Sequence, residues 1–330
     1  MVPGWAICFE DTLNNRHALL GISRALTVGL MLLALPLARA VADESARGIA
    51  VLYPDIGEPF RSVFSTIING IEDQAKGRVS SIAVGATPNL PDIQAELRKR
   101  DVRTVIALGR NGLKVASTLD KQWGVVAGGV LSVPEAQARD FAISSLAPDP
   151  SLLFARLKFL MPAARRVIVV FDPRQNDWLI RLARDAAKDQ GLEVWALEAS
   201  DLKSAVVKYR EVLANADPKK DALWLPQDST TVDETVVMPL VLEECWGRGV
   251  LVFSSNVTHV KRGVLFSLYP DNVELGRALG RMALSPSASL PKGLAPLREV
   301  RLAVNTRTAS HLGLTLDGRR LRFDMVFPEP

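Results

Sequence analysis

RVIVVFDPRQND occupies residues 166–177 and joins two kinds of pattern. Its first half is almost entirely apolar and β-branched, which predicts a strand that is covered on both faces. Its second half is polar and contains Pro173, and apolar side chains at helical spacing follow over residues 178–188. A buried strand that is followed directly by a helix is typical of parallel α/β sheets, whose strands are joined by crossover helices.

The same strand-then-helix order repeats on both sides of this stretch. Further strands are predicted at residues 48–53, 79–84, 103–108, 123–131, 192–197, 222–225, 249–253 and 301–305. The predicted helices lie at residues 59–76, 92–100, 111–119, 151–160, 178–188, 202–213, 232–246 and 273–282. Because the pattern restarts near residue 150, we predict an α/β fold of two doubly wound parallel-sheet lobes with a hinge.

The lobe boundaries follow from the two series of strands and helices, one before and one after residue 150. The N-terminal lobe is predicted to contain residues 48–145 and roughly 268–300, and the C-terminal lobe residues 146–267. Residues 301–330 are predicted to form a closing strand and a tail. Residues 285–296 (SPSASLPKGLAP) are rich in Ser and Pro, so they are interpreted as a loop between the lobes.

The first residues carry the pattern of a secretory signal. Arg24 precedes a short apolar run at residues 25–37, and small residues follow it. A positive charge, a short apolar core and a small-x-small site together predict a signal peptide at residues 1–42. We expect cleavage near Ala40 or Ala42, which predicts a periplasmic protein.

The composition is that of a folded protein with nearly balanced charge. Apolar residues make up 48% and charged residues 23% of the 330 positions, and the net charge is +4. Lys and Arg are dispersed along the chain, whereas a nucleic-acid-binding surface shows a basic cluster. The length exceeds that of most single domains, which favours two lobes.

No catalytic or metal-binding set is recognisable in the sequence. His259 and His311 have no Cys or His nearby that would complete a zinc site, and Cys245 is the single cysteine after the predicted signal peptide. A G-x-S-x-G nucleophile motif and a phosphate-binding P-loop are both lacking. The sequence therefore predicts a binding protein, with no cofactor and no enzymatic activity.

Polar residues follow most of the predicted strands, where a parallel sheet places its ligands. Ordinary helix capping explains part of this pattern, since Asp, Ser and Asn are common caps. The functional interpretation is that these loops line a cleft and that free backbone N–H groups bind an anionic group there. The candidate ligand-binding residues are Asp55, Arg110, Asn111, Asn176, Asp228, Ser229, Asn256 and Tyr269.

Several short motifs, in the same order, resemble one known family. Residues 260–264 (VKRGV) are similar to its Val-Lys-Arg-Gly-Ala step, and residues 275–277 (LGR) to the start of one of its helices. Residues 304–314 are similar to its closing Asn, Thr-Ala, Leu-Gly-Leu pattern, and residues 172–176 and 228–230 to two of its loops. The family is that of ABC-transporter substrate-binding proteins, including those for tryptophan and other aromatic amino acids. The resemblance implies the periplasmic binding protein type 1 fold from about residue 48 to 316.

The sequence departs from this family in several loops. Residues 109–112 read GRNG where the family has Gly-Thr-Pro-Ala, and residues 131–134 read LSVP where the family has an Asp-Pro-rich loop. Asn272 and Val273 replace a pair of tyrosines, and Asn256 replaces an expected aspartate. The resemblance therefore implies the fold more firmly than it implies an aromatic ligand.

Two functions are consistent with these observations. In the first, the protein is a monomeric, periplasmic solute-binding component of an ABC-type transporter. A small polar or anionic metabolite, such as an amino acid, would then bind between the lobes, and the closed form would dock on an ABC permease or a membrane sensor. The alternative is a periplasmic sensor or accessory protein with a degenerate cleft that acts through a protein partner.

Overall fold

Two parallel sheets account for most of the strands in this protein. The computed structural model describes residues 48–77, 79–286, 289–316 and 322–329, and the predicted signal peptide lies outside them. The described strands are β1 (Gly48–Pro54), β2 (Val79–Val84), β3 (Val102–Leu108), β4 (Gly124–Val130), β5 (Ala142–Pro148), β6 (Arg166–Phe171), β7 (Glu193–Glu198), β8 (Asp221–Leu225), β9 (Leu251–Ser254), β10 (Phe266–Pro270), β11 (Gly293–Leu297), β12 (Val300–Asn305) and β13 (Met325–Phe327).

The helices lie mainly between successive strands, as the repeating pattern predicts. They are α1 (Phe60–Ala75), α2 (Leu90–Lys99), α3 (Gly109–Ala116), α4 (Glu135–Ala138), α5 (Pro150–Leu160), α6 (Pro173–Asp189), α7 (Leu202–Ala214), α8 (Val237–Arg248), α9 (Thr258–Arg262), α10 (Asn272–Leu284) and α11 (Thr306–His311). None of these helices is long and apolar enough to cross a membrane.

The N-terminal lobe is built on a sheet with the order β11-β5-β4-β3-β1-β2. All of its strand pairs are parallel. The interpretation of residues 285–296 as a loop is wrong for residues 293–296, which belong to β11 and pair with β5 at the edge of the sheet. Pro296 lacks a backbone N–H, and an edge strand tolerates this because its outer side needs no partner.

The C-terminal lobe is built on a sheet with the order β13-β12-β10-β9-β8-β6-β7. Its pairs are parallel except for β10 and β12, which run antiparallel. The core of this sheet is aromatic: Trp224 stacks on Phe253 at 6.4 Å between ring centroids, and Phe253 stacks on Phe266 at 5.1 Å. The molecule is thus an α/β protein with two parallel-sheet lobes.

Two ion pairs tie together the segments that pass between the lobes. Asp149 caps the N-terminus of α5 and binds Arg298, with 2.5 Å between Oδ2 and Nη1. Asp271 caps α10 in the same way and binds Arg301, with 2.7 Å between Oδ2 and Nε. The hinge therefore consists of the ends of β5 and β10 and the connection between β11 and β12, held by these two carboxylates.

Helix α10 returns from the C-terminal sheet and packs against α1 of the N-terminal lobe. The two helices approach so closely that a Cβ added at Gly276 would lie 2.0 Å from the carbonyl oxygen of Ile67. A Cβ added at Gly70 would lie 2.1 Å from the carbonyl oxygen of Val273. Glycine at both positions therefore permits the contact that attaches α10 to this lobe.

Candidate functional site

In the C-terminal lobe, three loops follow the carboxyl ends of β6, β8 and β9. The first contains Asp172 and the first turn of α6 (residues 172–176), the second residues 227–231, and the third the last residue of β9 and the two that follow it (254–256). Together they are called the loop cluster below. Neighbouring parallel strands end at the same edge of a sheet, and ligands of doubly wound sheets bind there. The loop cluster therefore lies where a ligand site is expected in this lobe.

Asp228 is the centre of the hydrogen bonding in the loop cluster. Only 5% of its surface is exposed. Its carboxylate accepts hydrogen bonds from the backbone N–H groups of Asp172 (2.7 Å), Thr230 (3.0 Å) and Thr231 (3.0 Å). It also accepts from the side chain of Asn176 at 2.9 Å. Since a carboxylate offers about four acceptor sites, Asp228 is fully engaged within the lobe.

Asp172 joins the first loop to the second. Its carboxylate accepts from Arg174 Nη2 at 2.6 Å and from the hydroxyl of Thr230 at 2.8 Å, although it is almost completely buried. The hydrogen bond from the Arg174 guanidinium is the main reason why the pKa of Asp172 lies well below its ordinary value. Arg174 also donates to the carbonyl oxygen of Ser200 at 2.9 Å, so its charge is already paired.

Acid should weaken this part of the lobe. Because the folded pKa of Asp172 is lower than the unfolded value of about 3.9, its stabilising effect is complete above that value and is lost as the pH falls toward the folded pKa. We expect the urea midpoint of the wild type to fall between about pH 5 and pH 3, and to fall less in Asp172→Asn. Asp185→Asn, at an exposed pair with Lys188, is the control. A wild-type pH dependence in Asp172→Asn would contradict this role.

The polar side chains that remain at the surface of the cluster are few. Ser229 is exposed, and its hydroxyl donates to Gln175 Oε1 at 3.1 Å. Asn176 is 4% exposed, and its amide donates to the carbonyl oxygen of Gln227 at 3.3 Å as well as to Asp228. Of the residues predicted for this lobe, Asn176 and Asp228 therefore form the framework, and Ser229 presents a hydroxyl to solvent.

The third loop is attached to the aromatic core below it. Trp224 Nε1 donates to the hydroxyl of Ser255 at 3.0 Å, and Gln227 Nε2 donates to the carbonyl oxygen of Ser255 at 2.7 Å. Asn256, the next residue, is half-buried and contacts the imidazole of His259. Burial lowers the pKa of His259 despite a hydrogen bond with Glu234. This last pair could not be predicted from local sequence, because its members lie 25 positions apart.

In the N-terminal lobe, the loops after β1 and β3 converge on the end of β2. The backbone N–H of Asp55 donates to the carbonyl oxygen of Val84 at 2.9 Å, and Asn111 Nδ2 donates to the same oxygen at 3.4 Å. The side chains of Asp55 and Arg110 are exposed. No ion pair between described residues includes Arg110, so its guanidinium is available to a ligand.

Backbone geometry fixes the position of Arg110. Gly109, directly before it, has a φ of +67°, and a Cβ there would lie 3.2 Å from the ring of Phe64. Only glycine adopts this conformation readily in such a confined space. Arg110 is thereby held at the second position of α3, directly after the carboxyl end of β3.

Tyr269 lies apart from both groups of loops. It is on β10 opposite Arg301 of β12, close to the Asp271 ion pair of the hinge. Its side chain is half-buried, and burial raises the pKa of its hydroxyl. The structure thus places Tyr269 beside the hinge, and the other seven predicted residues in strand-end loops or at the first turn of the helix that follows.

A pocket of about 950 Å³ lies elsewhere, near the amino ends of β9 and β10. Trp246 stacks on His311 there, with 3.7 Å between ring centroids, and the buried Cys245 contributes to the wall. Its lining includes no member of the loop cluster. Over the described ranges, no group of three His, Cys, Asp or Glu side chains is arranged to hold a metal ion.

Half of the chain matches a known family. The family described as "ABC transporter substrate binding protein" matches residues 154–319. The chain belongs to this family. Members of the family are substrate-binding proteins rather than enzymes, which agrees with the lack of a catalytic set in the sequence. A search of curated proteins found no match.

Solved structures agree on the fold. A substrate-binding protein with adhesive properties from Clostridium difficile, CD0873, in its ligand-free, open structure, is 14% identical with a TM-score of 0.60, covering 85% of this chain and 99% of that one. An ABC domain from Streptococcus pneumoniae in complex with L-Trp is 15% identical with a TM-score of 0.53, covering 85% and 100%. A conserved domain protein from Vibrio cholerae is 15% identical with a TM-score of 0.52, covering 84% and 99%. The fold is therefore that of type 1 periplasmic binding proteins, as the resemblance implied.

Proposed function

We propose that this family member is the periplasmic solute-binding component of an ABC-type transporter. A small polar or anionic metabolite binds in the cleft between the lobes and is contacted by strand-end loops from both sheets. The observation that best supports this is the exposed guanidinium of Arg110 at the carboxyl end of β3, which has no ion-pair partner among the described residues. Charge-assisted hydrogen bonds from arginine suit a carboxylate or phosphate group.

The predicted ligand residues take different roles in this proposal. Arg110, Ser229 and Asn256 contact the ligand, while Asp228 and Asn176 hold the loops that present backbone N–H groups to it. Asp55, Asn111 and Tyr269 are proposed as neighbours of the ligand at the N-terminal loops and at the hinge. After ligand-induced closure, the exported monomer docks on its permease.

A thermal-shift screen tests the proposal. Amino acids, purines and small organic acids are added singly at millimolar concentration, and a ligand of the cleft raises the melting temperature because it binds only the folded state. We expect at least one anionic compound to do so. No shift with any compound would contradict a solute-binding role and favour the sensor or accessory role.

The accessory role is supported by one specific observation. Asn176 and Asp228 have their polar atoms engaged within the lobe, so the cleft offers few free side chains to a small molecule. In this second candidate function, the protein acts through a protein partner and needs no solute. Binding of the solute-free protein to a membrane sensor, measured directly, would distinguish the two.

Arg110→Ala is expected to weaken binding of an anionic ligand about 100-fold, because one charge-assisted contact is lost. The free energy of unfolding should change little, since Arg110 is exposed and takes part in no ion pair between described residues. Calorimetric titration with the compound found in the screen measures the affinity. Arg103→Ala is the matched control, because Arg103 is an exposed arginine near the start of β3, the strand that precedes Arg110. Equal affinity of the wild type and Arg110→Ala for the ligand would show that Arg110 does not contribute to binding.

A further inference from the structure

His259 is buried in the C-terminal lobe beside Asn256, one of the residues proposed for the cleft. Only 2% of its surface is exposed. Its Nδ1 lies 2.8 Å from the hydroxyl oxygen of Ser254. Its Nε2 lies 2.9 Å from Glu234 Oε1 and 3.3 Å from Asn256 Nδ2. One ring nitrogen therefore has both a carboxylate and an amide donor within reach.

Glu234 and Asn256 require opposite protonation states of His259 Nε2. The carboxylate of Glu234 only accepts, so it requires an N–H, whereas the amide of Asn256 donates and requires a lone pair. The orientation of the amide is fixed by its other end, because Oδ1 accepts from the backbone N–H (3.1 Å) and the hydroxyl (2.9 Å) of Thr258. Nε2 can therefore satisfy only one of the two in a given protonation state.

Ser254 determines how the neutral ring is protonated. Its hydroxyl donates to the carbonyl oxygen of Leu225 at 3.1 Å and accepts from the backbone N–H of Asn256 at 3.0 Å. Since this hydroxyl proton is already donated to Leu225, Nδ1 of the neutral ring must carry the proton and donate to the Ser254 oxygen. Nε2 of the neutral ring therefore keeps its lone pair. The charged groups that face the ring are Glu234 and Arg262, which pair with each other.

We propose that His259 is a positioning residue of the cleft, whose proton decides where the amide of Asn256 points. The neutral imidazole accepts from the amide and holds it inside the lobe. The protonated imidazole donates to Glu234 and leaves the amide free to bind an acceptor group of a ligand. What Asn256 binds rests on the proposed function, but the switch itself operates without a ligand. Because burial lowers the pKa of His259, the switch acts in acidic solution.

Nuclear magnetic resonance of the ligand-free, ¹⁵N-labelled full chain tests the switch. The imidazole nitrogens of His259 and the side-chain amide of Asn256 are followed from about pH 8 to pH 4. We expect both to titrate with one midpoint. Glu234→Gln should lower that midpoint by about one pH unit, because the carboxylate that favours the protonated ring is lost. His259→Gln should abolish the titration of the amide.

His311→Gln is the matched control, because His311 is exposed and contacts Trp246 instead of the loop cluster. It should leave the midpoint of the Asn256 amide unchanged. An amide that stays fixed while His259 titrates would overturn the proposal, and so would an amide that still titrates in His259→Gln. If His259→Gln does not fold, Glu234→Gln still decides, since Glu234 is exposed and an unshifted midpoint there contradicts the switch. None of these results depends on whether the screen finds a ligand.

Discussion

Gly276→Ala is expected to destabilise the protein by about 3 kcal/mol or more, although alanine is the best helix former. The added methyl would lie 2.0 Å from the carbonyl oxygen of Ile67 and 3.0 Å from the Cα of Gly70. Both atoms belong to the backbone of α1, so relief requires the two helices to separate. Separation would expose the apolar contacts that attach α10 to the N-terminal lobe. Urea unfolding at constant pH measures the loss.

Gly247→Ala is the matched control for this substitution. Gly247 also lies inside a helix, α8, but a Cβ there would have no atom within 4 Å. It should therefore change stability by no more than about 1 kcal/mol, in the stabilising direction, because alanine favours the helix. If Gly276→Ala were as stable as Gly247→Ala, the close packing of α1 and α10 would be wrong.

Asp228→Ala is expected to cost about 3–5 kcal/mol, the range for removing one partner of a buried charged network. The substitution leaves the backbone N–H groups of Asp172, Thr230 and Thr231 without their acceptor, as well as the amide of Asn176. These donors are largely buried, so water replaces the carboxylate poorly. Because the segments after β6 and β8 lose their common acceptor, ligand binding should fail together with stability.

Asp201→Ala separates this effect from ordinary capping. Asp201 is an exposed cap of α7 that accepts from the backbone N–H of Ser204 at 2.8 Å. Its removal should cost only about 1 kcal/mol. Comparable urea midpoints for Asp228→Ala and Asp201→Ala would show that Asp228 is only a local cap and does not organise the loop cluster.

Continuous apolar runs made most of the fold predictable from the sequence. The strands predicted at residues 48–53 and 166–171 coincide, to within one residue, with β1 and β6. Strand β5 was missed, although β2, which also contains two adjacent serines, was predicted; β11 was missed because Gly and Pro are also typical of loops. The pairing partner of β11 is β5, which lies in a distant part of the chain, and local pattern does not contain this information.

The candidate site was predictable only as a set of loops. The order of strands and helices indicated that Asn176, Asp228 and Asn256 would follow strand ends at one edge of a sheet. It could not indicate that Asn176 and Asp228 bind each other, because these residues lie 52 positions apart. The same holds for His259 and Glu234. Whether a polar side chain is free or engaged depends on tertiary contacts, and this decides which residues can bind a ligand.

Small-angle X-ray scattering with and without ligand tests most directly whether a solute binds between the two lobes. A ligand that contacts both lobes stabilises a closed form, so saturation with the compound found in the screen should reduce the radius of gyration. Arg110→Ala at the same ligand concentration should keep the larger radius. An unchanged radius in the wild type, at a ligand concentration that calorimetry shows to be saturating, would contradict binding between the lobes.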